Sequence, residues 1–161
     1  MAHAPNSQIF LFDPNHADRQ SLALDPFETD VLRVARYLCQ THEDPDTQCW
    51  MQAFMEAEQC FPPPFGATIA HAISIALTAL QSARGGVFSY LRVSDPLADT
   101  SITQEERYFV EVLRGLRTGD VAHVRSVALL LCQGGASDAF LGAMERLCII
   151  TGDVRQPKFQ Y

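Results

Sequence analysis

His71, Ser74 and Thr78 recur at spacings of three and four residues, which places an imidazole and two hydroxyls on one side of a helix. Facing a cavity, such a stripe could hold a small ligand, with His71 as acid–base group, metal ligand or haem ligand. Trp50 or Tyr108 would then stand near that cavity as an aromatic wall. On a buried helix the same stripe has a plainer account, in which the hydroxyls bond back to their own carbonyls and a neighbour satisfies the histidine. A Ser74–His71 dyad also lacks the third group that would orient its base.

Cys39, His42, Cys49 and Cys60 have the residue types of a zinc site. If residues 49–60 form one helix, the backbones of Cys49 and Cys60 lie about 16 Å apart along its axis. With zinc–sulfur bonds of about 2.3 Å, one ion cannot take both. Only Cys39, His42 and Cys49 could converge, with Asp44 or Asp46 as fourth ligand, and cysteine is equally at home as a small core residue. The run His42-Glu43-Asp44-Pro45-Asp46 lacks the glycine and spaced carboxylates of a calcium loop, and helix capping explains Asp44. No metal or cofactor is expected.

Arg107, Arg114 and Arg117 fall on one side of their helix, with Glu111 among them. Together with the next helix this could form a DNA-reading helix pair over residues 104–133. That second helix, however, holds Val121, Val124, Val127, Leu129, Leu130 and Leu131, with Arg125 its only formal charge, and reads as buried. The arginines are better explained as a solvated face with Glu–Arg pairs. Gly-x-Ser-x-Gly, His-Glu-x-x-His, phosphate-loop and dinucleotide motifs are all missing from the sequence.

Several elements must position these residues. Asp-Pro occurs at 13–14, 25–26, 44–45 and 95–96, and each pair can cap and open a helix. Asp25-Pro26-Phe27-Glu28 adds the glutamate of a capping box, and its helix should run to about Gln40 with Phe27, Val31, Val34, Ala35 and Leu38 inward. Asp44-Pro45 should open a second helix, with Cys49, Trp50, Ala53, Phe54 and Ala57 inward, stopped by three prolines at 62–64. The third helix, about Gly66 to Arg84, buries Ile69, Ile73, Ala76, Leu77 and Leu80 and carries no ionisable group over 66–83 except His71. Residues 87–93 fit a short strand or an irregular link equally well, and 95–101 read as a loop. Thr103-Gln104-Glu105-Glu106 opens a fourth helix, Gly119 ends it and Asp120 opens a fifth to Gln133. Ser137 or Asp138 caps the last, which buries Phe140, Leu141, Met144, Leu147 and Cys148 and ends at Gly152.

The fold class is therefore all-α: a single-domain bundle of about six helices over 25–151, with an N-terminal arm at 1–24 and a C-terminal tail at 152–161. At 161 residues the chain can bury a core without disulfides, and its five cysteines, odd in number and irregular in spacing, fit a reduced, cytoplasmic setting. The helical part of 62–83 falls short of a membrane span of roughly 20 apolar residues. Net charge is −7 with one lysine, which disfavours non-specific nucleic-acid binding. Residues 1–66 hold ten acids against three bases and so carry the whole −7; residues 67–161 hold nine of each.

A helix without charges on its outer face belongs in the middle of a bundle or against another subunit. Ile9-Phe10-Leu11-Phe12 and the aromatic tail at 155–161 are similarly apolar for free ends. These features point to a cytoplasmic interaction or regulatory protein more than to an enzyme, forming a homodimer through the third helix and the terminal arms. A protein partner that senses charge should meet the acidic first two helices. The alternative is a small-ligand- or cofactor-binding bundle, which could be a small enzyme, with a cavity lined by His71, Ser74 and Thr78. A transcriptional regulator using residues 104–133 is a third reading.

Overall fold

A computed structural model describes residues 16–18 and 23–155, with side chains described from 23 to 152. Among these residues are six α-helices: α1 (Pro26–Glu43), α2 (Cys49–Cys60), α3 (Gly66–Ala83), α4 (Gln104–Thr118), α5 (Val121–Leu131) and α6 (Asp138–Arg155). The molecule is an all-α helical bundle. Two three-residue strands, β1 (His16–Asp18) and β2 (Ser101–Thr103), pair antiparallel with His16 opposite Thr103. Ile9–Phe12 and the aromatic tail residues lie outside the described residues.

The capping chemistry works as the sequence implies. The Asp25 side chain accepts from the Glu28 amide while the Glu28 carboxylate accepts from the Asp25 amide, and Thr103 and Glu106 repeat this exchange at the start of α4. Gly119 ends α4 at φ +82°, a conformation open to glycine without a Cβ penalty. Asp44-Pro45 departs from expectation: it opens only a 3-10 turn, Pro45–Thr47, and α2 begins at Cys49 after Gln48 takes the left-handed conformation. Residues 87–93 form an irregular link.

Helix α3 packs against α6, α2 and α1, and its row of Ile69, Ile73, Ala76, Leu77 and Leu80 is fully buried. By length and composition α3 could cross a membrane, but that row faces the other helices. Phe109 joins Phe88 and Phe140 at centroid distances of 6.4 and 6.3 Å, linking α4, the 87–93 link and α6. Each such fully buried large apolar side chain stabilises the fold by about 1.5–3 kcal/mol relative to exposure.

Two apolar expectations are corrected. Trp50 points outward at 50% exposure, because α2 packs through the small row Cys49, Ala53 and Ala57. That row lets α3 approach so closely that a Cβ on Gly66 would lie 2.6 Å from the Glu58 Cα. Helix α5 is not buried all round: it sits at the bundle edge, with Val124, Val127, Ala128 and Leu131 inward and Val121, Leu129 and Leu130 exposed.

Candidate functional site

The described molecule offers two surfaces on which chemistry or recognition can act: the outer faces of α2 and α3, and a cleft at the ends of α1 and α3. On α3, His71 and Thr78 are exposed and Ser74 is half-buried, all opposite the buried row. Thr78 donates to the Ser74 carbonyl at 2.9 Å and Ser82 to the Thr78 carbonyl at 3.0 Å, the back-bonding typical of helix hydroxyls. Neither of the two best-formed clefts is lined by His71, Ser74, Thr78, Trp50 or Tyr108. Tyr108 is half-buried against the main core on α4. The predicted ligand residues thus line neither of these two clefts.

What these positions do form is an outer surface. The outward side of α3 presents His71, Ile75, Thr78 and Ser82 with no formal charge, and Ile75 is 42% exposed. Helix α2, packed beside it, exposes Trp50, Met51 and Met55, with Trp50 edge-on to Phe54 at 6.5 Å between centroids.

The cleft encloses about 720 Å³, within the range of small-molecule sites. Its walls come from the last turn of α1 (Cys39, His42, Glu43), the end of α3 (Gln81, Arg84) and the link from Gly85 to Arg92. Arg84 fixes that link. Its Nε donates to the Gly86 carbonyl at 2.9 Å, Nη1 to the Leu131 carbonyl at 3.0 Å, and Nη2 to the Val87 carbonyl and to Glu105. Glu105 in turn accepts from the Ser89 amide, and the Arg84 side chain is wholly buried.

At the rim, the Glu43 carboxylate accepts from the Tyr90 hydroxyl and from Arg92 Nη2 at 3.0 Å. The Tyr90 bond, then Arg92, hold the Glu43 carboxyl below its ordinary range, while desolvation and Glu43 raise the Tyr90 phenol. Cys39 in the wall is kept a neutral thiol by burial and by the carboxylates of Glu106 and Glu43. It is therefore a poor nucleophile and a poor metal ligand.

Of the metal candidates, Cys39 and His42 share the cleft, but Cys49 is buried elsewhere and accepts from the Thr47 hydroxyl at 3.0 Å. Among the described residues no three metal-ligating side chains converge. A smaller cleft of about 480 Å³ lies between Phe27, Phe61 and Ile69, with Asp30 and Cys60 at its side. Desolvation raises Asp30 and pushes the Cys60 thiol up to about 12.

The arginines of α4 are not the solvated stripe expected. Arg114 makes a two-pronged pair with Glu28, at 2.9 and 2.6 Å. Arg117 bonds Asp25 at 2.8 Å and lies 4.7 Å over the Phe27 ring. Both arginines are engaged with the start of α1.

Sequence reasoning missed the cleft. Glu43, Tyr90 and Arg92 are separated by 47 and 2 residues, and no periodicity joins them. The only local signal was the arginine before Gly85-Gly86. Comparison with family models, with curated proteins and with solved structures finds no match for this chain.

Proposed function

We propose that this chain is a cytoplasmic helical interaction or regulatory protein that acts as a homodimer through the outer face of α3. The observation that carries the reading is the absence of formal charge along that face, from His71 through Ile75 and Thr78 to Ser82. In a two-fold contact each residue meets the same patch of its copy, so a charged face would set like charges together in a dry interface. An uncharged face with a central isoleucine meets no such penalty.

A stable dimer buries about 800 Å² per partner, more than one helix face supplies. The exposed Trp50, Met51 and Met55 of neighbouring α2 would add apolar area. Five free cysteines agree with a reducing compartment. The acidic first two helices, with Asp46 and Glu58 exposed, leave a place for a basic protein partner.

Size-exclusion chromatography with light scattering, at concentrations of roughly tens of micromolar, should return twice the chain mass of 17.9 kDa. Ile75→Glu sits at an exposed position, so it should leave the helical circular dichroism intact and give a monomer. A wild-type monomer throughout that range would remove the dimer reading.

A further inference from the structure

The cleft between α1, α3 and the 85–92 link has a polar arrangement at its rim that the proposed dimer does not use. Two strong donors converge at its rim, the Tyr90 hydroxyl and the Arg92 guanidinium, and both are directed at one carboxylate, that of Glu43. A phenol and a guanidinium around one carboxylate are the recognition set for an organic acid. Here the protein's own side chain occupies it.

That occupant is held weakly. Glu43 is the last residue of α1, where the helix dipole disfavours a negative charge. Its side chain is 48% exposed and that of Arg92 51%, and ion pairs so open to water stabilise little. Next to the donors stands Val87, at 90% exposure, while Phe88 and Cys39 behind it are buried, at 5% and 4%. The link that carries the donors is held from behind by Arg84 and Glu105, so its shape does not depend on Glu43.

We propose that this cleft binds a small amphipathic carboxylate, whose carboxyl group replaces that of Glu43 on Tyr90 and Arg92 while its apolar body lies on Val87. Arg92 and Tyr90 are binding residues, and Glu43 is an internal competitor. The competition sets this site apart from a simple surface ion pair, because removing Glu43 should improve binding.

The test titrates the ¹⁵N-labelled full chain with 4-phenylbutyrate and follows the amide signals of Ser89, Tyr90 and Arg92. Saturable shifts are expected at those residues, and Glu43→Ala should bind several-fold tighter than wild type. Arg92→Ala should bind at least about tenfold more weakly, as expected for losing a charge-assisted bond. The neutral 4-phenylbutyramide, lacking the charge, and inorganic phosphate, lacking the apolar body, should both bind much more weakly. All of these substitutions are at exposed positions, and unchanged signals from the α5 and α6 amides would show that the fold is retained. The proposal is overturned if wild type and Glu43→Ala both fail to saturate at millimolar ligand. It is equally overturned if Glu43→Ala binds no tighter than wild type, or if the amide or phosphate binds as well as the acid.

Discussion

Arg36 and Glu106 bring opposite charges into the interior, at 3% and 0% exposure; the guanidinium donates four hydrogen bonds and each carboxylate oxygen accepts two. Arg36 Nε and Nη2 meet the two Glu106 oxygens at 2.7 and 3.0 Å. The guanidinium also donates to the carbonyls of Ala98 and Ser101, and the carboxylate accepts from the amides of Leu91 and Thr103. Arg36→Met should cost about 3–5 kcal/mol in urea unfolding, because a carboxylate stays buried without its cation. Adding Glu106→Leu should not restore the loss, since four backbone groups of the 91–103 segment would then lose these side-chain bonds. A double variant as stable as wild type would show that the pair does not organise that segment. Glu43 gives the matching pH prediction. Its folded-state pKa is lowered from 4.5, so its contribution is present above the unfolded value and is lost as pH falls through the folded one. In an NMR titration the Glu43 carboxyl should titrate below 4.5, and Tyr90→Phe should move it back up.

Among the helices, close approach is set by small residues. A Cβ on Gly115 would lie 2.5 Å from Val124 Cγ2, and one on Gly66 would press on the Glu58 backbone at 2.6 Å. Gly115→Ala should therefore destabilise by about 1–3 kcal/mol, the usual cost of overpacking, and Val124→Ala should relieve part of it. Gly66→Ala should cost more and have no side-chain rescue, because backbone cannot be trimmed. Thermal unfolding of the three variants separates the cases. The same small-residue logic turned Trp50 outward: its neighbours Cys49 and Ala53 took the contact that the helical pattern assigned to the larger ring.

On the scale of the whole molecule, charge follows a division of labour. Acids of the first half reach bases of the second: Glu28 and Asp25 hold Arg114 and Arg117, and Glu43 holds Arg92. Part of the acidity read as a patch for a partner is thus balanced inside the protein. Trp50 is the single tryptophan, and it is half exposed. If α2 joins α3 in the dimer contact, its fluorescence should shift to the blue as protein concentration rises, and Ile75→Glu should abolish the shift. A concentration-independent spectrum in a confirmed dimer would place α2 outside the contact.

By itself the sequence determined the helices and, apart from the start of α2, the caps described above, because capping, proline stops and apolar periodicity act within four residues of chain. It identified Asp25, Thr103, Gly119 and the buried row of α3. Only the tertiary structure decided which polar side chains meet. Arg36 and Glu106 are 70 residues apart, Glu43 and Tyr90 47 apart, and Arg114 and Glu28 86 apart. Nothing in local spacing encodes such pairs, since they depend on how helices cross. The His71 stripe shows the converse: its spacing was correct for one helix face, and the packing of α3 against α6, α2 and α1 turned that face to the outside.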